Sequence, residues 1–100
     1  MIHANLASGR WQEMSIAEQL GNVGSEYGRV LSARRRQDEA RFQGALSRFL
    51  ELLDMTISDK RWDLPRKREL LRLREISCQG FPESLQKYFN HFALMARNNK

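Results

Sequence analysis

Thirteen of the seventeen cationic side chains in this 100-residue chain are arginines, and the formal net charge is +5. Arginine presents a planar fork of donors that matches phosphate or carboxylate in pairs, which a lysine ammonium does not. The cations are unevenly spread. Residues 1–28 carry one basic and three acidic groups, residues 29–74 carry thirteen and seven, and residues 75–100 carry three and two. Three groups stand out. Arg34, Arg35 and Arg36 form the first; Lys60, Arg61, Arg66, Lys67 and Arg68 form the second; Arg72 and Arg74 extend it. Such clusters suit a polyanion or an acidic protein surface. Each phosphate neutralised would give log affinity a slope of about −0.7 to −0.9 against log salt. Trp62, inside the second cluster, can stack on an unpaired base for ~1–3 kcal/mol. The plainer alternative, that Trp62 covers one end of the core, is preferred. Glu69 and Glu75 are expected to neutralise part of the same segment through pairs at helical spacing.

Other chemistries find little support. Cys78 is the single cysteine, so no internal disulfide is possible, and a reducing, cytoplasmic setting is expected. His3 and His91 lie far apart and read as an end residue and a helix-surface residue, not as metal ligands. A small helical ribonuclease of the toxin type would place an arginine five residues before its histidine; that position holds Gln86. No serine or cysteine nucleophile motif and no phosphate-cradling glycine loop is present. Neither a catalytic centre nor a cofactor is expected. The longest apolar run, Phe92 to Ala96, is far short of the about 20 residues needed to cross a bilayer. No secretory leader is read.

The elements that must carry the cations read as four helices. Ser15 and Glu18 have capping-box spacing, and apolar residues follow at Ile16, Leu20, Val23, Tyr27, Val30 and Leu31. The same helix contains Gly21, Gly24 and Gly28, each costing roughly 1 kcal/mol against alanine. With Ala17, Ser25 and Ser32 they form a strip of small side chains. That strip predicts close approach of a second backbone, against the alternative of a weak, bent helix. Residues 34–38 are either a tight connection or a bend in one long helix, with Asp38 able to cap a second helix. That helix turns Phe42, Ala45, Leu46, Phe49, Leu50, Leu53, Thr56 and Ile57 inward. Asp63 and Pro65 suit the start of a third, over about residues 66–79, with Leu70, Leu71, Leu73, Ile76 and Cys78 as its apolar side. Gly80-Phe81-Pro82 separates it from a fourth, whose inner face is Leu85, Tyr88, Phe89, Phe92, Met95 and Ala96. Residues 98–100 are expected to fray.

Short connections favour antiparallel neighbours. The expected fold is therefore all-α, an up-and-down four-helix bundle forming one domain over residues 1–100. An irregular segment, residues 1–13, precedes it. The wide apolar faces predict a homo-oligomer. In such a bundle the first two clusters sit at opposite poles, joined along the third helix.

Residues 11–26, running through Met14-Ser15-Ile16, Gly21 and Gly24, resemble the start of the accessory variability proteins of diversity-generating retroelements. The subgroup is the one with a Met-Ser-Leu motif. Residues 45–54, Arg72-Leu73-Arg74-Glu75 and Lys87-Tyr88-Phe89 are similar to later parts of that group, so the likeness spans most of the chain. Two departures stand out: Ile16 replaces the motif leucine, and the connection at Gly80-Phe81-Pro82 is short. The resemblance implies a basic helical bundle that assembles as a ring, typically a pentamer. It implies two partners, the element's reverse transcriptase and its template RNA or an RNA–DNA hybrid. The transcriptase would make the error-prone cDNA, and this chain would have no active site. The arginine clusters would carry RNA or enzyme binding; Gly21, Gly24 and Gly28 would carry packing within or between subunits. Two other readings stay open: a structural or regulatory bundle that recognises an acidic protein and no nucleic acid, and an antitoxin-like or ribonuclease-like bundle.

Overall fold

The computed structural model describes residues 9–98. His3, the rest of the irregular segment before Gly9, and the end of the fraying tail lie outside the described residues. Helix α1 spans Ile16–Arg35, α2 Glu39–Ile57, α3 Leu64–Cys78 and α4 Ser84–Asn98, with no strand among the described residues. A single 3₁₀ turn, Trp11–Glu13, precedes α1.

Each start has the cap that the residue types allow. Ser15 Oγ accepts from the Glu18 backbone N–H at 3.1 Å, and Glu18 Oε1 accepts from the Ser15 N–H at 3.0 Å. Asp38 Oδ1 accepts from the Arg41 N–H at 3.1 Å, and Asp63 Oδ1 from the Arg66 N–H at 3.0 Å. The segment after Arg35 is a tight connection, not a bend. Gln37 takes a left-handed φ of 55°, and the Asp38 N–H donates back to the Ala33 carbonyl at 3.0 Å.

The contacts fix the topology. Thr56, near the end of α2, meets Trp11, before α1, while Arg48 meets Glu26; α1 and α2 are therefore antiparallel. Arg74 of α3 reaches Asp54 of α2, and Lys67 reaches Ile57, so these two also run opposite ways. Gly21, Gly24 and Gly28 face Ala93, Phe89 and Gln86 in reverse order, which makes α4 antiparallel to α1. The result is an up-and-down bundle in which α1 packs against both α2 and α4, and α3 packs against α2. The core is aromatic at its centre. Tyr27 lies 5.1 Å from Phe49 and 5.4 Å from Phe89, ring centre to ring centre, and all three are fully buried.

The small-residue strip on α1 is the seam against α4. A Cβ at Gly24 would stand 2.3 Å from Phe89 Cβ, and one at Gly21 would stand 3.1 Å from Ala93 Cα. Real carbon atoms do not approach so closely, so glycine at position 24 is what lets α4 lie down. The close approach read from the sequence is thus found within one chain.

The apolar side of α3 differs from the sequence reading. Leu70 and Leu73 are buried, but Leu71 is 53% exposed and Ile76 and Cys78 also face outward. The third inward position is Ser77, fully buried, whose hydroxyl donates to the Leu73 carbonyl at 2.7 Å. On α4, Phe89 is buried and Met95 lies outside the core.

Candidate functional site

The ten cations picked out in the sequence divide by what the fold does with them. Arg34 Nη1 donates to the Gly80 carbonyl at 2.6 Å, and Arg35 pairs with Glu83 at 3.0 Å; both tie the end of α1 to the α3–α4 connection. Arg66 pairs with Glu69 at 2.8 Å within α3, and Glu69 also accepts from the Tyr88 hydroxyl. Lys67 Nζ donates to the Ile57 carbonyl at 2.6 Å, satisfying an orphan acceptor at the end of α2. Arg74 pairs with Asp54 at 2.8 Å.

Arg61 is the most deeply committed. Its Nη2 lies 2.7 Å from Asp59 Oδ2, its Nε donates to Asp59 Oδ1 at 3.0 Å, and Nη2 also donates to the Met14 carbonyl. Asp59 is 2% exposed. The hydrogen bonds from the Arg61 side chain outweigh the opposing effect of burial. Together with the Arg61 backbone N–H and Gln19, they hold the Asp59 carboxyl at about 2. Fully buried Gln19 completes the network. Its Nε2 donates to Asp59 and to the Trp11 carbonyl, and its Oε1 accepts from Trp62 Nε1 at 3.1 Å. The Arg61 guanidinium also lies 4.4 Å from the centre of the Trp62 ring. Trp62 therefore covers the end of the bundle, as the plainer reading of it held, and Arg61 braces that cover.

Four of the ten remain. Arg36, Lys60, Arg68 and Arg72 are exposed, and their side chains take no part in the ion pairs and hydrogen bonds formed among the described residues. Arg36 lies at the α1–α2 turn and Lys60 at the α2–α3 connection, at opposite ends of α2. Arg68 and Arg72 stand one turn apart on the outer side of α3, flanking exposed Leu71. The two poles joined along α3 are present, with fewer free cations than the sequence suggests.

Sequence reasoning passed over a third concentration. Arg29 on α1 and Arg36 at its C-cap face Arg41 and Arg48 on α2 across a cleft of about 500 Å³. Its floor holds buried Ala33 and Ala45 and half-buried Gly44, and Ser32 and exposed Ala40 also line it, all small. Arg41 and Arg48 are seven residues apart on α2, two turns on the same face, and Arg29 and the α1 C-cap Arg36 have the same spacing. That spacing, with small residues between, was the available signal. Glu26 bridges one end, accepting from Arg29 Nη1 at 2.9 Å and Arg48 Nε at 3.1 Å. Asp38 lies 3.3 Å from Arg41 Nε at the other.

Among the described residues no three His, Cys, Asp or Glu side chains gather as metal ligands would, and no helix is long and apolar enough to cross a membrane. Compared with known proteins, the chain matches no family model, no curated protein and no solved structure.

Proposed function

We propose that this chain is a non-enzymatic accessory protein that binds a retroelement reverse transcriptase and its template RNA through basic surfaces. The observation that carries the reading is the set of exposed arginines and lysine left without internal partners: Arg36, Lys60, Arg68 and Arg72. An exposed guanidinium with no carboxylate to satisfy it keeps its full fork of donors for an external anion. The likeness to the accessory variability proteins supplies the identity of the partners. The α3 face suits the enzyme, because Leu64 at 60% and Leu71 at 53% exposure add apolar contact beside Arg68 and Arg72. That mixture of apolar and cationic side chains also favours the second reading, an acidic protein partner without nucleic acid. Leu94 and Met95 on α4 offer a further apolar surface for contact between subunits in a homo-oligomer.

The test is binding of the purified chain to single-stranded RNA, and to the neighbouring reverse transcriptase with its RNA, at low and rising salt. If all four free cations reach phosphates, log affinity for single-stranded RNA falls against log salt with a slope of about −3. Reversing Arg68 and Arg72 to glutamate leaves the fold intact and flattens that slope. The same change at Arg66 and Lys67 is a poor probe, because it breaks the Glu69 pair and the Ile57 contact. A folded sample that retains neither RNA nor enzyme at low salt refutes the proposal. RNA that fails to displace a bound protein partner points to the second reading.

A further inference from the structure

We infer that the cleft between α1 and α2 is a discrete phosphate-binding site, built by Arg29, Arg36, Arg41 and Arg48. Four guanidiniums meet there against two carboxylates, Glu26 and Asp38, so the cleft carries a local excess of two positive charges. That excess matches a phosphate dianion or two neighbouring phosphodiesters. About 500 Å³ lies within the usual range for a small-molecule site. Carboxylates on a peptide are single charges held apart by the chain, and fit a compact doubly positive cleft less well.

Two further features say that the cleft is kept ready for a ligand. The first is Glu26, 8% exposed. It takes one donor from Arg29 and the Nε of Arg48, which fixes both side chains and leaves their remaining N–H groups unused. Glu26 is thus a positioning residue. The second is Gly44. The glycines of α1 are explained by the approach of α4, but a Cβ at Gly44 would meet only Arg48 Nη1, at an ordinary 3.5 Å. Nothing in the fold requires a glycine in the middle of α2, where it weakens the helix. Its absent side chain keeps the floor open beneath the Arg48 guanidinium.

The inference shares Arg36 with the function proposed above, but Arg29, Arg41 and Arg48 lie outside that set, so Gly44→Glu and the Arg68, Arg72 variant tell the failure of one from the failure of the other. Two substitutions test it. Gly44→Glu retains every arginine and introduces a carboxylate from the floor, where the space exists. Arg36→Gln removes a cation whose side chain makes no hydrogen bond or ion pair within the fold. Sodium tripolyphosphate, titrated calorimetrically at low salt, is the first probe; a short single-stranded RNA followed by fluorescence anisotropy is the second; polyglutamate is the third. Circular dichroism confirms the fold of each variant.

Wild-type protein is expected to bind tripolyphosphate, and each substitution to weaken it about tenfold, the effect of losing one charge-assisted contact. The Arg68→Glu, Arg72→Glu double variant binds tripolyphosphate as wild type does. If RNA weakens in parallel with tripolyphosphate in the cleft variants, the ligand is a nucleic-acid backbone; if RNA is unaffected, it is a free phosphate compound. Both outcomes support the site. Absence of tripolyphosphate binding to wild-type protein overturns it. So does wild-type affinity in folded Gly44→Glu and Arg36→Gln proteins, or polyglutamate binding as tight as that of tripolyphosphate. Should Gly44→Glu not fold, Arg36→Gln decides.

Discussion

Replacing Gly24 by alanine adds one carbon atom at the tightest point of the bundle. On helix propensity alone the change stabilises α1 by about 1 kcal/mol. The packing works against it. The new Cβ would lie 2.3 Å from Phe89 Cβ and 3.0 Å from its Cγ. A Cβ cannot rotate away as a side-chain end can, so the backbone of α4 must retreat by roughly 1 Å to restore contact distance. Phe89 is fully buried and leans on Tyr27 at 5.4 Å and Phe49 at 6.0 Å, so its retreat loosens the aromatic centre as well. Overpacking of this kind costs about 1–3 kcal/mol; an overlap this deep, against a buried side chain, belongs in the upper half of that range, which exceeds the propensity gain and leaves a net loss of about 1–2 kcal/mol. For a domain of this size that lowers Tm by roughly 5–15 °C. The other helical glycines calibrate the result. At Gly21 the obstacle is Ala93 Cα at 3.1 Å, which must yield by a few tenths of an ångström, so Gly21→Ala falls between wild type and Gly24→Ala. At Gly28 it is the end of the Gln86 side chain, which can move, so Gly28→Ala is near neutral. Gly44→Ala meets ordinary contact only, and stabilises by about 0.5–1 kcal/mol. Thermal and urea unfolding of the four variants measures the order. A Gly24→Ala protein that melts at or above wild type would refute the account of the α1–α4 seam.

Two predictions concern pH. Asp59 has its carboxyl at about 2 in the folded chain against 3.8 for an unperturbed one, so its contribution is fully present above pH ~4 and disappears as pH falls towards 2. That contribution is roughly 2 kcal/mol, and urea unfolding between pH 5 and 2 should show the Asp59→Asn variant losing less stability over this interval than wild type. Tyr27 is fully buried and donates to the Pro82 carbonyl at 2.7 Å; burial pushes its phenol up to about 12. The folded state therefore holds this proton more tightly than the unfolded chain, and stability falls as pH rises from about 10 to 12. A Tyr27→Phe protein, less stable at neutral pH by about 1 kcal/mol, should show a smaller alkaline loss in the same measurement.

Much of the scaffold was legible because it depends on short-range chemistry. The Ser15, Asp38 and Asp63 caps need only the three residues that follow them. The α1 glycines recur at spacings of three and four, and so do Gln86, Phe89 and Ala93 opposite them, which is why a strip of small residues could be read as a seam. What it packed against could not be read, since that partner lies about 60 residues away along the chain. The inner side of α3 was misjudged for another reason. Leu70, Leu71, Leu73 and Ile76 cover more than half the circumference of a helix, and hydrophobicity alone does not choose among them. Ser77 settles the rotation by turning inward, and serine is tolerated there because its hydroxyl is satisfied by its own helix at Leu73.

The arginines show why counting charge along the sequence does not tell which cations the fold leaves free. Lys60 and Arg61 are neighbours, yet one is free and the other is wrapped around a buried carboxylate. Nothing local separates them, because the Asp59 pocket is made by Gln19 and Met14 from another element. Arg35 is consumed by Glu83, 48 residues away, and Arg74 by Asp54, 20 residues away. Six of the ten cations chosen by clustering serve the fold in this way. Arg29, Arg41 and Arg48 belong to no cluster in sequence, but α1 and α2 bring them to one cleft with Arg36. A run of adjacent arginines distributes its side chains around a helix, and different faces meet different neighbours. Arginines seven apart share a face. Repetition at the helical period is therefore a better guide to a convergent basic site than local density, and it singles out the opposed α1 and α2 pairs flanking Gly44.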